Sequence, residues 1–118
     1  MVRIYGIRNC TTMKKAFAWC DAHGVDFAFH DYRKQGIERN KLEQWCRHLG
    51  WKSLLNIRGT TWRKLTPQQQ MISTQNQAVA LMLEHPSLIK RPVVETDTQL
   101  LVGFDPQMFA SFVKGGGF

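Results

Sequence analysis

The sequence predicts a small α/β domain whose mixed sheet is assembled from both ends of the chain, and three observations carry that expectation. Strand-like runs flank or precede helical stretches at either end: Val2–Tyr5 and "FAFHDY" (27–32) near the start, "PVVETDTQLLVGF" (92–104) near the finish. Between them, from Ile37 onward, apolar residues recur at helical spacing. The 118 residues, 43% apolar and 21% charged, suffice for one core without disulfides or a structural metal.

Val2–Tyr5 is a β-branched and aromatic strand ending at Gly6. A helix follows, with Met13, Ala16, Phe17 and Cys20 on one face and Gly24 as its stop. Phe27–Tyr32 alternates as a second strand, so a parallel βαβ unit opens the chain. In "IERNKLEQWCRHLGW", Ile37, Leu42, Trp45, Cys46 and Leu49 keep helical spacing up to Gly50. "LTPQQQMI" puts Pro67 at a first helical position after Thr66, and "TQNQAVALMLEHP" carries Val79, Met82 and Leu83 before Pro86 ends it, so the middle is expected to be all-helical. Val93–Glu95 and Gln99–Val102 flank Thr96-Asp97-Thr98 as a hairpin. A last helix starts at Pro106 with Asp105 as its cap, and residues 114–118, "KGGGF", are expected to fray.

The order β-α-β, helices, β-β-α is the outline of a thioredoxin-like fold. The expectation is a single domain over residues 1–118, with a thioredoxin-like core at 1–36 and 88–114 and an all-helical insertion at 37–87.

No apolar run reaches the roughly 20 residues a membrane helix needs, and the N-terminal residues carry no export pattern. With three cysteines in no framework spacing, a cytoplasmic protein with free thiols is expected. The net charge of +7 favours acidic partners, an acidic protein face among them. "RGTTWRKL" mixes basic residues with Trp62 but lacks a stacking platform, so nucleic acid is not expected as a partner. His23, His30, Cys46 and His48 have no zinc spacing, and no metal is expected.

Cys10 falls where the first strand hands over to its helix, at the carboxyl end of the strand, where open α/β sheets place their ligands. There the helix amides and dipole favour thiolate, and Lys14 and Lys15 add positive charge. The competing reading is a small apolar filler. Thr11 and Thr12 can donate to a sulfur or oxygen anion, or simply cap the helix. If Cys10 attacks a disulfide, something must resolve the intermediate, and the slot three residues on is Met13. Cys20 lies about 15 Å along the same helix, too far for a disulfide, which needs Cα atoms within about 7 Å. Cys20 and Cys46 read as core. The resolving thiol is then external, which points to a low-molecular-weight thiol such as glutathione.

Four stretches, "YGIRNCTTMKKA", "FHDYRKQGI", "LLNIRGTTWRKL" and "IKRPVV", together resemble the arsenate reductase (ArsC) family, most closely its YffB and Spx branches. The resemblance runs in order over nearly the whole chain. It implies a thioredoxin-like core with a helical insertion, Cys10 as the catalytic cysteine, and Arg58 and Arg91 as anion-contacting arginines. It also implies Pro92 as the cis-proline beside which a bound thiol pairs with the backbone. The sequence departs from the arsenate reductases at Gly103, where they carry a third arginine, at Gly6, where they have a histidine, and at Lys14, where they have an arginine. A tetrahedral oxyanion would be held less completely by what remains. Met13 replaces the second cysteine of the Spx C-x-x-C switch.

The resemblance to the YffB branch implies a glutathione-dependent thiol–disulfide reductase with a single nucleophile, Cys10, and with Thr11, Thr12, Lys14, Arg58, Arg91 and Pro92 binding the substrate. No cofactor is resident; glutathione is the co-substrate, and a glutathionylated or disulfide-bonded molecule is the substrate. The alternatives are a glutaredoxin-coupled arsenate reductase and an Spx-like, non-enzymatic protein-binding regulator.

Overall fold

The computed structural model describes residues 2–115, without the side chains of 113–115. The chain divides into two compact units, Met1–Asp31 with Arg91–Phe118, and Tyr32–Lys90.

The first unit is the thioredoxin-like α/β core. Its strands are β1 (Val2–Gly6), β2 (Phe27–Asp31), β3 (Val93–Glu95) and β4 (Leu100–Val102), in the order β2-β1-β3-β4. β1 runs parallel to β2, from Val2 opposite Phe27 to Gly6 opposite Asp31; β3 lies antiparallel to both β1 and β4. Alternation along β1 sends Val2 and Ile4 to one face, where they join Val94 under helices α1 (Thr11–Ala22) and α7 (Pro106–Gly115). Met13, Ala16 and Cys20 of α1 and Phe109 and Phe112 of α7 complete that core. The Trp19 and Phe109 rings meet edge to face at 5.0 Å. On the opposite face Arg3 and Glu95, cross-strand partners, form an ion pair at 2.9 Å, and Tyr5 donates to the same carboxylate.

Strand β2 stops one residue short of expectation. The ladder ends at Gly6 opposite Asp31, so Tyr32 has no place in it and instead buries its ring at the start of the short helix α2 (Tyr32–Gln35). Gln99 likewise belongs to the hairpin turn: its carbonyl accepts from the Thr96 amide at 3.0 Å, and its own amide donates to the Thr96 hydroxyl at 3.0 Å. Asp105 caps α7 as its sequence implies, accepting from the amides of Gln107 and Met108. The fraying expected at 114–118 concerns residues outside the described ones from 116 on; the backbone of 114 and 115 continues α7.

The second unit holds α2, α3 (Arg39–Leu49), α4 (Trp51–Leu54), α5 (Thr60–Arg63), α6 (Gln75–Glu84) and a 3₁₀ turn at Pro86–Leu88. Trp45, Tyr32, Leu42, Leu54, Met82, Leu88, Ile89 and Val79 are its largest fully buried side chains. The regular elements between 37 and 87 are helices, as expected, and Leu55 adds an isolated antiparallel bridge to Ile89 just beyond them. One expectation fails here. No helix starts at Pro67: Thr66 and Gln69 bond reciprocally like a capping box, but only one turn forms. Pro67 and Gln68 are exposed and Met71 is 77% exposed, so no apolar face drives further turns. α6, by contrast, has both a Thr74–Gln77 capping box and a buried face of Ala78, Val79, Leu81 and Met82.

Candidate active site

After β1 the chain passes through Ile7, buried, and Arg8 and Asn9, exposed, before Cys10 takes the N-cap position of α1 in extended conformation. The cap position leaves the first helix amides without intrahelical partners. Cys10 makes no regular capping hydrogen bond, yet the Thr12 and Met13 amides face its sulfur closely enough to favour the anion. Arg91, at the start of the second segment of this unit, donates from Nε to Cys10 Sγ at 3.4 Å. Partial burial on its own pushes the thiol up; the Arg91 hydrogen bond, the Met13 and Thr12 amides and the Arg91 charge outweigh it. The Cys10 pKa therefore falls below the ordinary thiol value.

The other two thiols behave oppositely. Burial, then the neighbouring Asp21, pushes Cys20 up to about 11. Burial, then Glu43, raises Cys46 as well. Both are buried and all three cysteines are unpaired with one another. Among the described residues, no group of three or more His, Cys, Asp or Glu side chains could hold a metal ion.

Two residues that position this site have no signature in sequence spacing. A Cβ at Gly6 would collide with the Met13 sulfur, come within 2.7 Å of the Met13 methyl, and lie 3.3 Å from Arg91 Cβ. Gly6 thus lets both the fully buried Met13 and the Arg91 stem approach the end of β1. Gly103, with φ +89°, donates its amide to the Pro92 carbonyl at 2.8 Å, in a backbone conformation that suits glycine. The Arg91–Pro92 bond is cis, in line with what the resemblance implies for Pro92.

Of the residues singled out from the sequence, Cys10, Thr11, Thr12, Arg91 and Pro92 fall within the α/β unit, and Arg91 touches the sulfur. Lys14 is exposed on α1; its backbone amide bonds to the Cys10 carbonyl at 3.0 Å, so the cation in contact with the sulfur is Arg91. Arg58 belongs to the helical unit. Its amide bonds to Asn56 Oδ1, its carbonyl accepts from Arg63 Nη2 at 2.9 Å, and it lines a cleft of about 590 Å³ with Trp51, Trp62 and Lys90. No feature of the sequence pointed to that cleft, because its walls come from separate short segments. Among the described residues no helix is long and apolar enough to cross a membrane.

The pattern of the ArsC family matches residues 5–112. Among solved structures, the YFFB protein is 47% identical, with a TM-score of 0.91 over 94% of this chain and 97% of that one. An uncharacterized protein of Haemophilus influenzae is 39% identical over 92% of this chain and 96% of its own length. Global transcriptional regulator Spx 1 of Lactococcus lactis is 28% identical over 96% of this chain and 89% of its own.

Proposed function

This chain belongs to the ArsC family, and from that premise we propose that it is a thiol–disulfide reductase whose single nucleophile is Cys10 and whose reductant is glutathione. The observation that carries the reading is Arg91 Nε 3.4 Å from Cys10 Sγ at the start of a helix, a setting that favours the thiolate more than an ordinary thiol's surroundings do.

The Cys10 thiolate attacks one sulfur of a disulfide, preferably the glutathione sulfur of a glutathionylated molecule. The S–S bond breaks, the other sulfur leaves as a thiolate that takes a proton from water, and Cys10 is left in a mixed disulfide. A second glutathione, as thiolate, attacks that disulfide and expels Cys10. The glutathione taken from the substrate and the attacking one leave together as glutathione disulfide, so one free glutathione thiol is consumed for each substrate thiol freed. Met13 supports an external resolving thiol, since it fills the local slot with a buried thioether. On this reading Arg91 neutralises the entering and leaving sulfurs, the backbone at Pro92 aligns the cysteinyl part of glutathione, Thr11 and Thr12 hydrogen-bond the bound thiol, and Lys14 attracts its carboxylates. The setting is a reducing compartment such as the cytoplasm.

The test is a glutathione-coupled disulfide assay. Cys10→Ser is expected to abolish turnover while keeping the wild-type circular dichroism, and Cys20→Ala or Cys46→Ala is expected to retain it in folded protein. Absence of turnover in the wild-type protein would overturn the reading. It would favour the second one, a protein-binding regulator, to which the likeness to Spx 1 over 96% of the chain lends support. Arsenate reduction is the weaker alternative: Gly103, with φ +89°, occupies the third arginine's place, and a side chain there would be strained.

A further inference from the structure

The cleft in the Tyr32–Lys90 unit is lined by ten residues, none of them Asp or Glu, while Lys52, Arg58 and Lys90 supply three positive charges. Among the described residues none of those three is in an ion pair. Trp51 and Trp62 contribute aromatic surface, and Lys52 Nζ stands 5.6 Å from the Trp51 ring centre.

The floor is fixed by the fold. Leu55 pairs with Ile89, the Asn56 amide donates to the Leu88 carbonyl at 2.7 Å, and the Lys90 amide donates to the Leu54 carbonyl at 2.7 Å. One wall is tied down by Gln70, which donates to the Trp62 carbonyl at 2.8 Å, and by Arg63, which holds the Arg58 carbonyl.

The rim adds a second, independent observation. Of the three large apolar side chains that are exposed among the described residues, Ile57, 56% exposed, lines this cleft, and Met71, 77% exposed, stands between two of its lining residues, Gln70 and Ile72. Large apolar side chains left exposed on the wall of a concave aromatic site and next in chain to it mark a surface that a larger partner covers.

We propose that this cleft is a docking site for a surface segment of a partner protein that presents a large apolar side chain flanked by carboxylates. The apolar side chain enters between Trp51 and Trp62, the carboxylates pair with Lys52 and Lys90, and the segment covers Ile57 and Met71. Charge complementarity selects the occupant: three cations with no opposing carboxylate exclude a basic segment and favour an acidic one. The site does not depend on Cys10 chemistry, so it stands or falls separately from the reductase reading.

The experiment is fluorescence anisotropy of a labelled acidic octapeptide, acetyl-EDEFLDED-amide, titrated with the full chain. Expected is saturable binding that weakens with added salt, and that falls by about tenfold in Lys52→Glu and in Ile57→Glu. Both positions are exposed, and circular dichroism checks that each variant keeps its fold. Absence of binding, or equal binding by wild type and both variants, overturns the proposal. It is also overturned if 2-naphthoate alone or a single-stranded oligonucleotide occupies the cleft more tightly than the peptide and is lost in the same variants.

Discussion

At residue scale, what Cys10 can do follows from what touches it. Arg91 and two helix amides favour the anion against the cost of partial burial, so the lowered pKa of this thiol is a property of the α/β unit's tertiary contacts. Two outcomes are expected from alkylation rates measured across pH. In the wild type Cys10 reacts with an apparent pKa below that of a free thiol, while Cys20, pushed up to about 11, and Cys46 stay protected. In Arg91→Met the Cys10 value rises, since the hydrogen bond and the charge are both lost while burial remains. The same shift bears on stability. A thiol whose pKa is lowered by folding adds stability above its unfolded pKa, and that increment is lost as pH falls through its folded value. The Cys10→Ser unfolding profile is expected to lack that segment. Gly6 gives a third outcome: Gly6→Ala puts a Cβ onto the Met13 sulfur and is expected to cost about 1–3 kcal/mol in urea unfolding. Gly6→Ala with Met13→Ala is expected to recover the overpacking part of that loss.

At the scale of elements, local signals were legible and long-range ones were not. Asp105-Pro106 announces α7 because a cap and a first-turn proline act within one turn of chain. Asp105→Ala is expected to lower stability by about 1 kcal/mol. Phe109→Ala, which empties a fully buried ring site against Trp19, is expected to lower it by about 3–5 kcal/mol, read from chemical denaturation. Thr66-Pro67 looked the same as Asp105-Pro106 but gave only one turn. Its capping contacts are real, and what it lacks is a buried face, which no local pattern reports. The Arg91 contact with Cys10 spans 81 residues of sequence; no spacing rule reaches it, and only the likeness to a family placed the two together in advance. Gly6 against Met13 was illegible for the same reason, since a close approach between strand and helix shows only in three dimensions. The parallel β1–β2 pair and the β3–β4 hairpin, in contrast, could be anticipated from the alternation in "FAFHDY" and the turn in "PVVETDTQLLVGF"; that β3 joins the free edge of β1 to give the order β2-β1-β3-β4 is a long-range fact that only the structure supplies.

At the scale of the whole molecule, a positively charged chain places two candidate sites in two units. The α/β unit holds a thiol of lowered pKa hydrogen-bonded by an arginine, and the helical unit holds a cationic, aromatic cleft. The buried Met13 leaves Cys10 without a second thiol on its own helix turn, and the proposed function therefore takes its reductant from a separate molecule. That claim is tested most directly by intact-protein mass spectrometry with peptide mapping after brief exposure to oxidised glutathione at neutral pH. Expected is one glutathione per chain, mapped to Cys10 and removed by reduced glutathione. A disulfide between Cys10 and Cys20 or Cys46, or modification spread over the three thiols alike, would contradict it.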